Sequence, residues 1–282
     1  RAANDGLWDW DIVGDKTYFA PRFAEILGIP PSAVLDDSQA LYARLHPEDR
    51  EAFRLRMIAH LKRESTQLTI EHRILHADGS YRWILTCGMA VHDPHTGRAV
   101  RMAGSISDIH LRKRVEDQLL YDALHDGLTG LANRALFAEH LQSTLRHADR
   151  VTGSLFAVLH INIERFHVVN DSLGYSAGDD LLRLVAARIR ALARPGDVVG
   201  RVGGDQFAVL LNDIADASEA IRFSENLQTH LAESAELNGH VLYPKTRIGV
   251  ALGSGGFQNA EDLMRDADNA MQRSRRSADN TI

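Results

Sequence analysis

Gly203-Gly204-Asp205-Gln206 combines a turn that lets bare backbone approach a phosphate with one carboxylate able to hold a hard cation. Alone, such a tetrapeptide is an ordinary hairpin turn. Upstream, Arg194-Pro195-Gly196-Asp197 offers a guanidinium suited to a phosphate or a purine face, although an arginine three residues from an aspartate is by itself a solvated ion pair. Asp179 can accept two hydrogen bonds at once, and Asn170 adds an amide nearby in sequence. Five residues separate Asp197 from Gly203, a spacing that gains meaning only from the resemblance described below. Cys87 is the single cysteine, so no internal disulfide forms, and no Cys and His spacing resembles a zinc cluster. His60, His72 and His76 read as structural or solvent-facing side chains rather than haem or metal ligands.

These groups need a folded scaffold, and the bulk numbers allow one. The chain has 282 residues, enough for two domains, with 44% hydrophobic and 25% charged content. A formal charge of -6 argues against a protein that blankets nucleic-acid backbones, which needs a basic face. Small ligands or proteins are the better partners. The longest apolar run, 155–163, is interrupted by His160 and Asn162 and falls well short of the ~20 residues a membrane helix requires. It reads as a buried strand, and a reducing, cytoplasmic setting fits. The chain opens on Arg1 rather than methionine, so it is expected to be a piece of a longer protein.

Residues 7–12 alternate Trp8, Trp10 and Ile12 against Leu7, Asp9 and Asp11, which is strand periodicity. His46-Pro47-Glu48-Asp49 predicts a helix to about residue 62, with proline near its start. Segments 67–75 and 81–91 flank His76-Ala77-Asp78-Gly79, a hairpin signal, and a third strand follows at 99–107. Residues 108–124 read as a charged helix with Leu111, Val115 and Leu119 spaced by four, either a seam between two chains or a face packed on its own domain. Beyond it the spacing predicts helices at 133–146, 179–193, 216–236 and 260–274. Strands are predicted at 155–163 and 245–252, with a hairpin over 198–211.

The ordered set Trp8-Asp9-Trp10-Asp11, Leu45-His46-Pro47-Glu48-Asp49-Arg50, Asp78-Gly79-Ser80-Tyr81-Arg82-Trp83 and Gly104-Ser105-Ile106-Ser107-Asp108-Ile109 resembles a PAS domain with its C-terminal motif. That resemblance implies an antiparallel five-stranded sheet with small helices, and a sensory or dimerising role for residues 1–109 through a ligand that the sequence does not reveal. Residues 110–124 would be a signalling helix.

Residues 125–282 resemble a GGDEF, diguanylate cyclase-like domain: Asp126-Gly127-Leu128-Thr129-Gly130-Leu131-Ala132-Asn133-Arg134, then Asn170-Asp171, Gly178-Asp179, Arg201-Val202-Gly203-Gly204-Asp205-Gln206-Phe207 and Ala267-Asp268-Asn269-Ala270-Met271. The resemblance implies an α+β chain whose second half is a ferredoxin-like, nucleotide-cyclase-like βαββαβ sheet surrounded by helices. Members condense two GTP molecules into cyclic di-GMP across a pair of domains. Carried over residue by residue, metal would sit at Asn162, the Ile163 backbone and Asp205. Nucleotide would meet Phe166, His167, Asn170, Asp179, Gly203, Gly204 and Arg275, and inhibitory cyclic di-GMP would meet Arg194 and Asp197. Asp205 is the remaining catalytic carboxylate.

Several positions depart from that pattern. Asn162 stands where the family has an aspartate, which removes a negative charge from a dication site. Gln206 replaces the glutamate and cannot take a proton as a base. His167 replaces a lysine, Arg275 conserves one, and Asp279 falls where an arginine is usual. The resulting expectation is a sensory or regulatory protein whose second domain binds GTP or cyclic di-GMP with a weakened magnesium site and little cyclase turnover. It would pair as a homodimer through PAS domain and helix, with an EAL-type phosphodiesterase domain following in the parent. An active cyclase, with Asp205 and Glu164 compensating for Asn162, and a dimerisation scaffold are the rivals.

Overall fold

The structure, a computed structural model, describes residues 5–30, 38–151, 153–237, 239–255 and 259–278. The chain divides into two compact units between Leu119 and Leu120, inside the helix predicted at 108–124.

In the first unit β1 (Gly6–Asp11), β2 (Lys16–Phe19), β3 (Leu68–Leu75), β4 (Tyr81–His92) and β5 (Ala99–Asp108) form one antiparallel sheet in the order β2-β1-β5-β4-β3. The predicted meander is present, and Gly79 takes a positive φ of 85° in the β3–β4 turn, as the Asp-Gly signal requires. Between β2 and β3 lie α1 (Pro21–Leu27), α2 (Ser38–Ala43), a short 3-10 turn (Pro47–Asp49) and α3 (Arg50–Leu61). Strand β3 alternates buried and partly or fully exposed residues, so one face is covered and the other is not. Phe23, Leu27, Ile70, Ile74, Ile84, Met102 and Ile106 build the core beneath that cover. Helix α4 (His110–Leu124) follows, and Glu71 on β3 receives Arg112 and Lys113 from its first turn. Leu111, Val115 and Leu119 on α4 stay 74%, 49% and 63% exposed.

In the second unit β6 (Phe156–Ile163), β7 (Val198–Arg201), β8 (Gln206–Leu211) and β11 (Thr246–Gly253) form an antiparallel sheet in the order β11-β6-β8-β7. This is the ferredoxin-like arrangement that the resemblance implied. Ala157, Leu159, Ile161 and Ile163 of β6 face α7 (Tyr175–Leu192) and α8 (Ala217–Leu231), while Phe156 and Val158 face α5 (Arg134–Ala148) and α9 (Ala260–Ala278). Helices therefore cover both faces, which is why β6 reads as a continuous apolar run rather than an alternation.

Several sequence expectations need correction. The helix predicted over 216–236 ends at Leu231. Residues Ala235–Leu237 and His240–Leu242 instead pair as a small hairpin, β9 and β10, turned by Gly239 at φ 78°. The helix predicted from 179 starts earlier, at Tyr175, and a separate helix, α6 (Phe166–Leu173), precedes it. Gly174, at φ 85°, makes the corner between them, a conformation that most side chains resist.

Candidate functional site

Strand β6 and the β7–β8 hairpin deliver the predicted metal positions to one end of the sheet. Asn162 lies opposite Gln206 on β8 and opposite Arg247 on β11, and the Ile163 amide donates to the Asp205 carbonyl at 3.1 Å. The hairpin closes by donation from Val202 and Gly203 amides to the Gln206 carbonyl, at 2.9 and 3.3 Å. A Cβ on Gly203 would lie 2.8 Å from Gln206 Oε1, so the Gln206 side chain folds back over the turn. Around Gly204 a Cβ would meet nothing within 4 Å, leaving open ground where a phosphate can reach backbone.

Two residues that sequence reasoning left without a role hold this hairpin. Arg201 donates from Nε and Nη2 to the Gly204 carbonyl at 3.0 and 2.6 Å, and from Nη1 to both Asp126 oxygens at 3.1 Å. Asp126 also accepts from the Thr129 amide and hydroxyl at 2.9 and 2.7 Å. Burial pushes the Asp126 carboxyl up, but Thr129 and the Arg201 guanidinium outweigh it and hold the group below the usual carboxylate range. In sequence, Asp126-Gly127-Leu128-Thr129 appeared only as part of the family motif, and its partner 75 residues away was not legible.

Glu164 carries no free carboxylate to replace the one missing at Asn162. It pairs with Arg247 Nε at 2.7 Å, and its amide donates to Lys245. Among the described residues no group of three or more His, Cys, Asp or Glu side chains is placed to hold a metal ion. Two residues before Asn162, buried His160 places Nδ1 3.1 Å from Asp268 of α9. Burial lowers the His160 pKa while Asp268 opposes the shift.

At the α6–α7 corner, Asn170 and Asp179 come together. A Cβ at Gly178 would fall 1.9 Å from Asn170 Oδ1, so glycine there lets the amide lie against α7. Asn170 Oδ1 is buried without a hydrogen-bond partner, and the half-buried Asp179 carboxylate engages no described residue by hydrogen bond or ion pair. Phe166 packs on the core at the start of α6, and His167 is exposed beside it. Arg275 lies on α9 with its side chain outside the described part, and Asp279 lies outside the described residues.

Arg194 and Asp197 form a built turn rather than a loose surface pair. Asp197 is almost wholly buried, accepts from the Arg194 amide at 2.9 Å and from Nε at 3.3 Å, and also accepts from the Asn212 amide at 3.2 Å. Arg194 Nη1 reaches Glu219 on α8, and Nη2 donates to the Asn212 carbonyl at 3.3 Å. Nothing in the sequence pointed to Glu219. Its other oxygen accepts from the Ala215 amide at 2.8 Å, and Asp216 caps the same helix.

Comparison with known proteins places this geometry. The profile described as "Diguanylate cyclase, GGDEF domain" matches residues 123–281, and that described as "PAS fold" matches 16–106. Diguanylate cyclase TpbB of Pseudomonas aeruginosa is 39% identical over 169 residues, covering 58% of this chain and 39% of that protein. A solved structure of its GGDEF domain superposes with a TM-score of 0.52, covering 54% of this chain and 89% of that one. The bifunctional diguanylate cyclase/cyclic di-GMP phosphodiesterase MucR of the same organism is 38% identical over 56% of this chain and 23% of its own length. The coiled coil and GGDEF domain of DgcB from Caulobacter crescentus, solved with cyclic di-GMP, is 29% identical with a TM-score of 0.54, over 59% of this chain and 87% of that one. The chain thus spans well under half the length of the two curated relatives.

Proposed function

Because this chain belongs to the GGDEF-domain family of diguanylate cyclases, which takes in 123–281, we propose that its second unit is a nucleotide-binding regulator that turns over little or no cyclic di-GMP. It binds GTP, cyclic di-GMP or both, in the cytoplasm where those nucleotides are found. The observation that carries this reading is the α6–α7 corner. There an unengaged Asp179 carboxylate and the buried, unpartnered Asn170 oxygen offer acceptors to a guanine edge. Buried acceptors left unpaired are costly, so a ligand that donates to them is favoured.

The residues at the end of β6 fit magnesium poorly. One carboxylate, Asp205, and the neutral Asn162 oxygen stand where a dication wants anionic oxygens, and Arg247 is the cross-strand neighbour of Asn162. Gln206 offers no proton acceptor, so no chemical step is assigned to a protein-held metal here. Any magnesium bound with GTP would be held largely by the phosphates. Arg194 and Asp197 suit cyclic di-GMP as an inhibitory or signalling ligand, provided Arg194 leaves Glu219. The PAS-type unit and the exposed stripe of α4 fit a sensor that works as a homodimer, and an EAL-type domain in a longer chain, by analogy with the bifunctional MucR, would be the output.

A second reading, a working cyclase, draws support from the name of TpbB and from the preserved adjacency of positions 162 and 205. Incubation of the purified protein with GTP and either magnesium or manganese separates the two. Little or no cyclic di-GMP is expected with either ion, and robust turnover at physiological magnesium would overturn the regulatory reading.

A further inference from the structure

The end of the sheet that fits magnesium poorly carries a fixed cation of its own. Residues directly opposite in an antiparallel sheet share a face, with Cβ atoms about 5 Å apart, so Arg247 on β11, Asn162 on β6 and Gln206 on β8 form one row across three strands. Two of these side chains are neutral amides, and the third is a guanidinium. Arg247 is half-buried and pairs through Nε with Glu164 at 2.7 Å, while its two terminal nitrogens engage no described residue. The Glu164 amide donates to the Lys245 carbonyl at 2.8 Å, so backbone and ion pair together hold the guanidinium at the strand end. Arg165, which enters α6 at φ 55°, and Lys245 are exposed and pair with no described residue. Apart from the balanced Arg201–Asp126 pair, Arg165, Lys245 and Arg247 thus stand against only Glu164 and Asp205 at the end of β6. A magnesium site calls for the reverse balance, anionic oxygens with no cation a few ångströms away.

We propose that the second unit binds guanosine triphosphate without a protein-held divalent ion, the Arg247 guanidinium donating to the phosphates from its terminal nitrogens in the place of the metal; this rests on the nucleotide-binding reading above. A guanidinium offers paired donors that match phosphate oxygens and keeps its charge at every physiological pH, so it neutralises an anion without recruiting a metal. The ion pair with Glu164 uses Nε alone and persists while the terminal nitrogens turn to phosphate. Glu164 therefore anchors the guanidinium and, as an anion beside the phosphates, opposes the ligand.

The test is calorimetry on the intact protein with guanosine 5′-(β,γ-imido)triphosphate, in magnesium and in EDTA. Affinity in EDTA is expected to be no more than about threefold weaker than in magnesium. Arg247→Ser should weaken binding in EDTA by about tenfold or more, and Arg247→Lys, which keeps the charge but not the paired donors, by less. Glu164→Gln, which removes the charge at constant size, should tighten it by about threefold. A larger loss of affinity on metal removal, or undiminished affinity in a folded Arg247→Ser variant, would overturn the proposal and leave the nucleotide-binding reading standing. Weaker binding by Glu164→Gln in magnesium would also overturn it, by placing a metal on that carboxylate, whether or not Arg247→Ser folds. Absence of binding in both conditions would overturn the nucleotide-binding reading and the proposal with it.

Discussion

In the first unit one face of a five-stranded sheet is covered, and a cavity remains beneath the cover. In the second, β6 is buried on both faces between α7 and α8 on one side and α5 and α9 on the other. A core packed on both sides holds loop ends in place, and at the end of β6 those loops bring Asn162, Ile163 and Asp205 together. The contrast is one of packing: the first unit leaves room beneath its cover, and the second fixes the loop ends at the edge of its sheet.

Packing mutations break or sharpen this comparison most strongly. Leu159→Ala, at a site with no exposure in the middle of β6, should cost about 2 to 5 kcal/mol, whereas Met57→Ala, beside an existing void, should cost only about 1 kcal/mol. Trp8, Trp10 and Trp83 all lie in the first unit, so tryptophan emission follows that unit alone during denaturant titration while circular dichroism follows both. Similar losses at the two positions would erase the distinction.

Acid sharpens it next. Burial drives the His72 pKa down to about 4, with the Ile70 backbone and Asp49 opposing only in part. Below its ordinary value of 6.5 the unfolded chain takes up a proton that the folded chain refuses, so stability falls as pH drops from 6.5 to about 4. That interval, about 2.5 pH units at about 1.4 kcal/mol each, gives roughly 3 to 4 kcal/mol for the first unit. His72→Phe should lose this part of the dependence, read as the difference between the two tryptophan-detected unfolding curves across pH. Parallel pH profiles would mean that His72 titrates freely in the fold.

How far the sequence foretold this architecture varies by region. The β3–β4 hairpin, the β7–β8 hairpin and the long helices were legible, because alternation, Asp-Gly turn chemistry and helical spacing are local signals. Helix α6 was not. It spans eight residues, enters from Arg165 at φ 55° without a side-chain cap, and gives no start signal. The predicted helix over 216–236 ran too long because strands of three residues, β9 and β10, leave no periodicity to read. At the site, the pairing of Asn162 with Asp205 came from the family resemblance, and the strand and hairpin that carry them were legible locally. The ties from Arg201 to Asp126 and from Arg194 to Glu219 join residues 75 and 25 apart, which only the fold brings into reach.

The smallest expected effect concerns Glu219, which occupies the guanidinium that cyclic di-GMP would need. Glu219→Gln keeps an acceptor for the Ala215 amide but removes the charge, and should tighten cyclic di-GMP binding by about threefold. Calorimetry reads this directly. Weaker binding would show that Glu219 positions Arg194 instead of competing for it.

The central claim is that the second unit selects guanine through Asp179. Guanine presents a ring N–H and an amino group on one edge, both able to donate to a single carboxylate, whereas adenine turns a bare ring nitrogen toward it. Competition of ATP against labelled GTP, on the intact protein and on Asp179→Ala, tests this most directly. A preference for GTP of about tenfold or more that the substitution erases is the predicted result, and equal affinity for the two nucleotides in the unaltered protein would contradict it.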